Sequence, residues 1–329
     1  MATVIVLAMF QTQWLALNAL GVDSRLELVQ TIQLEGEAGR LDHFALDAEN
    51  GRLFVASLSN DSLDVVDLKA GRPIKQISGQ RKIQGVAYAP GLDRIFVGAG
   101  VGAECNVFDG KTYDLLHSLK LPDADNVRVD ATTGLVYVGH GEHALTAFDA
   151  KTFAVKATVK LPGQPEAFQL DAERKRLYLN CVRPSSVVAV DLAKHEVVAR
   201  YTPPNVEGFY PMALDRETQR IFIGCRQPAV VLALDANDGK DLWRVEIPPD
   251  IDDLFFDAKR RRLYASCGAG FLTILDEKPG GAFEVAEKIP TVKLARTCFF
   301  DQASGRLYLG VPRQSGKPGP EIRVYQATP

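Results

Sequence analysis

The sequence predicts an all-β fold, a seven-bladed β-propeller of four-stranded antiparallel blades, and three observations carry that prediction. One multi-strand unit recurs along the chain. Its period is close to 40 residues. Each copy is built of β-branched and aromatic residues between polar turns, the pattern of short strands. The unit is plainest at residues 168–191, FQLDAERKRLYLNCVRPSSVVAVD, where three strand-like runs are separated by turn residues. One such sheet cannot shelter both of its faces, so copies must stack beside it, and four strands per 40-residue unit point to a propeller.

Taken in order, the elements support this. Residues 26–36, LELVQTIQLEG, read as the outer strand of a blade, yet no three strands precede them. Seven innermost strands follow: HFALD (43–47), VAYAP (86–90), NVRVD (126–130), AFQLD (167–171), PMALD (211–215), DLFFD (253–257) and TCFFD (297–301). The second strand recurs seven times, from RLFVAS (52–57) to RLYLGV (306–311). The third strand ends at Asp67, Asp109, Asp149, Asp191, Asp235 and Asp276, at steps of 42, 40, 42, 44 and 41 residues, and its seventh copy is EIRVYQ (321–326). The last repeat therefore stops one strand short, and the unattached strand at 26–36 is expected to complete it. That closure joins the two ends of the ring and removes exposed sheet edges.

RLFVAS, RIFVGA and LVYVGH, each followed by an Asp-terminated strand, resemble the repeats of the bacterial YVTN-type propellers over residues 26–329. The tetrapeptide itself is not spelled out. The resemblance implies the seven-bladed fold. It also implies kinship with cell-envelope binding proteins, a DNA-binding member, lactonases and haem-carrying reductase domains.

Composition narrows these classes. The formal net charge is −3, which argues against broad nucleic-acid binding. Residues 1–22 are apolar with a polar break at Gln11–Gln13 and end near a small-x-small triplet, Ala19–Gly21. They read as a signal peptide or apolar leader, although no basic residue precedes the apolar run. The mature protein is then expected in the periplasm or secreted, as a monomer without a membrane span, or in the cytoplasm if the leader is not a signal. Five cysteines are an odd number, and those at 181, 225 and 267 fall on equivalent rungs of successive blades, too far apart for disulfides. Buried thiols are expected. No CxxCH, phosphate loop or GxSxG elbow occurs.

The candidate chemistry gathers where the loops leading into the inner strands surround the axis. Five positions before each inner-strand Asp (Pro90 in blade 2) stand Asp42, Gly85, Asp125, Glu166, Tyr210, Asp252 and Arg296. One position later stand His43, Asn126 and Asp253, among others. Acids crowded around a narrow channel repel one another unless a cation, a base or protonation offsets them. They form either a polar-ligand site or a set of turn caps paired with Arg296 and water. As a cation site, Asp42, Asp125, Glu166 and Asp252 supply the oxygens that suit a divalent ion such as Ca2+. His43 and Glu166 are the candidate acid–base residues if the chain is a lactonase-like hydrolase. Arg183, Arg226 and Arg313, in similar places in blades 4, 5 and 7, are candidates to hold an anionic group above the acids. His140 and His143, flanking Glu142, lie in a loop with no third ligand specified, a poor zinc pattern. The aspartates at 47, 130, 171, 215, 257 and 301 are expected to form turns, and the basic run 259–262 to be a solvated turn. The leading expectation is a binding protein for a small polar ligand or an envelope protein partner.

Overall fold

The computed structural model describes residues 24–36, 39–141 and 143–329, so the 1–22 leader reading lies outside the described residues. Seven four-stranded antiparallel sheets form the ring. In each of blades 1–6 the four strands follow chain order from the inner strand outward. Blade 7 is made from both ends of the chain: Thr297–Asp301, Arg306–Val311 and Glu321–Ala327, then Leu26–Gln33 on the outside. The closing strand is antiparallel to Glu321–Ala327, with Leu26 opposite Ala327, Ile32 opposite Ile322 and Gln33 opposite Glu321.

Seven apolar clusters lie one between each pair of neighbouring blades, as face-to-face sheet packing requires. The cluster at the closure joins Ile32, Tyr308, Ile322 and Val324 of blade 7 to Phe44, Leu53 and Val55 of blade 1. All five cysteines are buried and unpaired.

The inner-strand aspartates turn the chain, as expected of their short acceptor side chains. Asp130 accepts the Thr132 amide at 2.9 Å, Asp257 the amides of Lys259 and Arg260 at 3.1 Å, and Asp301 that of Ala303 at 3.1 Å. The basic run at 259–262 departs from the solvated turn expected of it. Arg260 pairs with Asp257 at 2.9 Å, Arg261 with Asp215 at 2.6 Å and Glu277 at 2.7 Å, and Arg262 with Asp276 at 2.9 Å. Asp215 belongs to the neighbouring blade, so Arg261 clamps two blades together, a contact that local sequence does not reveal.

Candidate functional site: the charged axial mouth

Irregularities in the inner strands position the mouth. In blade 4 the pairing skips from Pro165–Cys181 to Phe168–Leu179, leaving Glu166 and Ala167 opposite one residue. Comparable skips fall at Gln84–Gly85, Tyr210–Pro211 and Asp252. In blade 1 Ala56 accepts from the Asp42 amide (2.7 Å) and donates to the His43 carbonyl (3.1 Å), and in blade 3 Gly139 does the same with Asp125 and Asn126 (both 3.0 Å). Two residues facing one is a β-bulge, which bends the strand and re-aims its side chains. Six of the seven blades thus carry a bulge at the level where the candidate residues were read.

Gly85 shows why blade 2 contributes no acid. A Cβ there would stand 1.9 Å from the carbonyl oxygen of Asp125, so blade 3 approaches blade 2 on bare backbone.

Charge is distributed unevenly around the mouth. On one side, Arg296 holds Asp250 at 2.7 and 2.8 Å and Asp252 at 3.1 Å. Arg226 pairs with Asp252, lies 3.4 Å from Asp250, and stacks over the Tyr210 ring at 3.5 Å. Arg40 reaches Asp42 at 3.1 Å and Asp252 at 3.7 Å. On the other side, Asp125 has, among the described residues, only the His43 imidazole at 3.9 Å and the Gln84 amide. Glu166 has no hydrogen-bond or ion-pair partner among the described residues.

His43 is the centre of the group. Its Nε2 lies 4.0 Å from Asp42 and 3.9 Å from Asp125, and its Nδ1 lies 3.9 Å from Asp253. Burial, reinforced by Arg128 and Arg40, pushes this imidazole down to about 3, so it is neutral at neutral pH. The acids move the other way. Burial raises Asp42 well above the usual carboxylate range, against the pull of Arg40 and with the help of Asp252, Asp125 and Asp253. Burial and the charges of Asp125, Asp252 and Asp42 raise Glu166 likewise. Asp125 rises to about 6, again chiefly by burial. Asp253 is raised by burial and by Asp252, although its Oδ2 accepts the Cys298 amide at 2.8 Å. Burial and mutual repulsion thus disfavour the charged form of each of these acids, and a cation placed among them would offset both. Asn126, 1% exposed, has an Nδ2 without a partner among the described residues.

The remaining candidates stand apart. Arg183 and Arg313 are exposed. The Arg313 Nε donates to the Lys317 carbonyl at 3.1 Å, and the Arg183 carbonyl accepts the Gln164 amide. His140 is buried, bonded to the Thr146 hydroxyl at 2.8 Å, while His143 is exposed and Glu142 lies outside the described residues. Among the described residues no group of three or more His, Cys, Asp or Glu stands in an arrangement that holds a metal ion. Sequence reasoning missed Arg40 and Asp250. Each lies two positions before a residue it did select, Asp42 and Asp252, and that proximity was the available signal.

Fold and site together define a seven-bladed β-propeller with a charged axial mouth. No protein-family model matches the chain, and no curated protein matches it. Among solved structures it is similar to Kuenenia stuttgartiensis hydrazine synthase, with a TM-score of 0.75 and 14% identity over 85% of this chain and 95% of that one. At that identity the likeness concerns the fold alone. No helix among the described residues is long and apolar enough to cross a membrane.

Proposed function

We propose that this propeller is a binding protein that takes a small cationic ligand at the axial mouth, between Asp42, Asp125 and Glu166. One observation carries the reading: the arginines of the mouth pair with Asp42, Asp250 and Asp252, and among the described residues Asp125 and Glu166 have no arginine or lysine within ion-pair distance. Buried carboxylates in that state bind a positive group or keep a proton. An organic ammonium fits better than a bare Ca2+ ion, which needs six to eight oxygens at about 2.3–2.6 Å. The repeat resemblance and the apolar leader support an exported member of the YVTN-type propellers. Mass analysis of the mature N-terminus checks export.

The test is calorimetric titration with an ammonium panel and with CaCl2, on the full chain and on Asp125→Asn and Glu166→Gln. Ammonium binding that weakens at least tenfold in both variants supports the reading, and Ca2+ binding alone would replace the organic ligand with the metal. No binding, or binding indifferent to both substitutions, overturns it. A lactonase-like hydrolase is the second reading, favoured by the Glu166 carboxyl, which burial and neighbouring acids raise in the direction a general acid needs. Absence of turnover on a lactone panel removes it.

A further inference from the structure

Beneath the mouth, a cavity of about 410 Å3 runs along the axis. Its lining extends from His43, Asp253, Arg128 and Cys298 to Arg216 and Gln302, in the turns that follow the inner strands. A second cavity, of about 470 Å3, shares Arg128, Val129, Gln169 and Arg216 with it and reaches the exposed turn residues Thr132 and Glu173. The two form one route from the turn face to His43. Asp42, Asp125, Glu166 and Asp252 line neither. The chamber therefore lies below those four acids, meets the mouth group only at His43 and Asp253, and reaches the opposite face.

The inner end of the chamber carries a guanidinium and a carboxyl group that do not meet. Among the described residues Arg128 has no carboxylate within 4 Å. Its guanidinium donates to the Val127 carbonyl at 2.8 Å and to Asn126 Oδ1 at 3.4 Å, which leaves further N–H donors over. The Asp253 Oδ2 takes the Cys298 amide, while its Oδ1 has only His43 nearby, at 3.9 Å. The lining is mixed: Phe44, Tyr88, Leu214, Phe255 and Phe299, the last two packed edge to face at 5.8 Å, stand beside Gln169, Arg216 and Gln302. Its size lies within the ~300–1,000 Å3 of small-molecule sites, which pair apolar walls with a few convergent polar groups.

A guanidinium and a carboxylate held apart across one cavity with aromatic side chains in its lining are complementary to a molecule carrying the reverse pair of charges. We infer that the chamber binds a small zwitterion with an apolar side chain, an α-amino acid, whose carboxylate meets Arg128, whose ammonium meets Asp253, and whose side chain lies against Phe255 and Phe299. The guanidinium fork accommodates a carboxylate through two N–H bonds, and the ammonium supplies the donors that Asp253 Oδ1 lacks.

Three probes test this on the full chain without any substitution: L-phenylalanine, phenylacetate (no ammonium) and 2-phenylethylamine (no carboxylate), titrated by calorimetry. Phenylalanine is expected to bind at least roughly tenfold tighter than either half-molecule, because each leaves one buried charge unpaired. Arg128→Ala is expected to weaken phenylalanine binding roughly 30-fold, and Arg128→Lys less, since Lys keeps the charge and loses the fork. Equal binding of phenylacetate and phenylalanine overturns the inference, as does failure of phenylalanine to bind at millimolar concentration. The ammonium panel for the mouth runs on the same protein preparation. Binding there with none in the chamber overturns this inference alone, and the converse overturns only the mouth reading.

Discussion

Replacing Asp125 with Asn removes one titrating carboxyl from the mouth and leaves its shape nearly unchanged. In the folded chain that carboxyl titrates near 6, against 3.8 when unperturbed. Because the folded value is the higher one, the native state holds a proton that the unfolded chain has released. This group's stabilisation is complete below 3.8 and is lost as pH rises through 6. The full difference amounts to about 3 kcal/mol, and the part falling between pH 5 and pH 8 to about 1.4 kcal/mol. The side chain is 20% exposed, so solvent screening makes these upper figures. His43 acts in the opposite direction, since a depressed imidazole costs stability as pH falls below 6.5, but it is present in both proteins and largely cancels in the comparison. Urea unfolding at pH 5 and pH 8 measures the effect. Relative to the parent, Asp125→Asn should gain about 1 kcal/mol on going from pH 5 to pH 8. Parallel pH profiles for the two proteins would refute the account of a buried, proton-holding mouth.

Two further substitutions address the frame of the site. On the closing strand, Ile32 is 0% exposed and Leu28 is 53% exposed. Ile32→Ala should therefore cost about 2–5 kcal/mol in chemical denaturation, and Leu28→Ala no more than about 0.5; equal losses would mean that the closure does not bear on stability. Gly85→Ala forces a Cβ against the Asp125 carbonyl and should cost about 1–3 kcal/mol while weakening ligand binding at the mouth. An unchanged unfolding midpoint would show that blade 3 does not press on blade 2 there.

The architecture was legible because each blade repeats the same local chemistry: an Arg- or Leu-led second strand, an Asp-ended third strand, and an Asx turn after the first. The closure was legible because a lone outer strand at one end matched a missing one at the other. The mouth residues were found because counting back from the turn-forming aspartates keeps register even where the strand is irregular. The bulges themselves left no mark, since Glu166-Ala167 and Tyr210-Pro211 have no common composition. Arg40 and Asp250 escaped because their loops do not repeat. Arg183 and Arg313 looked equivalent to Arg226, but only Arg226 continues a paired strand, opposite Ala229, which aims it at Asp252. Arg128 and Asp253 lie on inner strands of different blades, and only the ring geometry brings them to the same cavity.

The outer strand Leu26–Gln33 hydrogen-bonds to a segment almost 300 residues further along the chain. During synthesis, blades 1 to 6 have all their strands in hand while this first one has no partner. Its apolar residues must wait, open to chaperones, to proteases or to another copy of the chain, until Glu321–Ala327 emerges. Assembly of the propeller is thus gated by that segment, and a polypeptide cut short before residue 321 would leave a two-stranded blade 7 and an unpaired strand Leu26–Gln33.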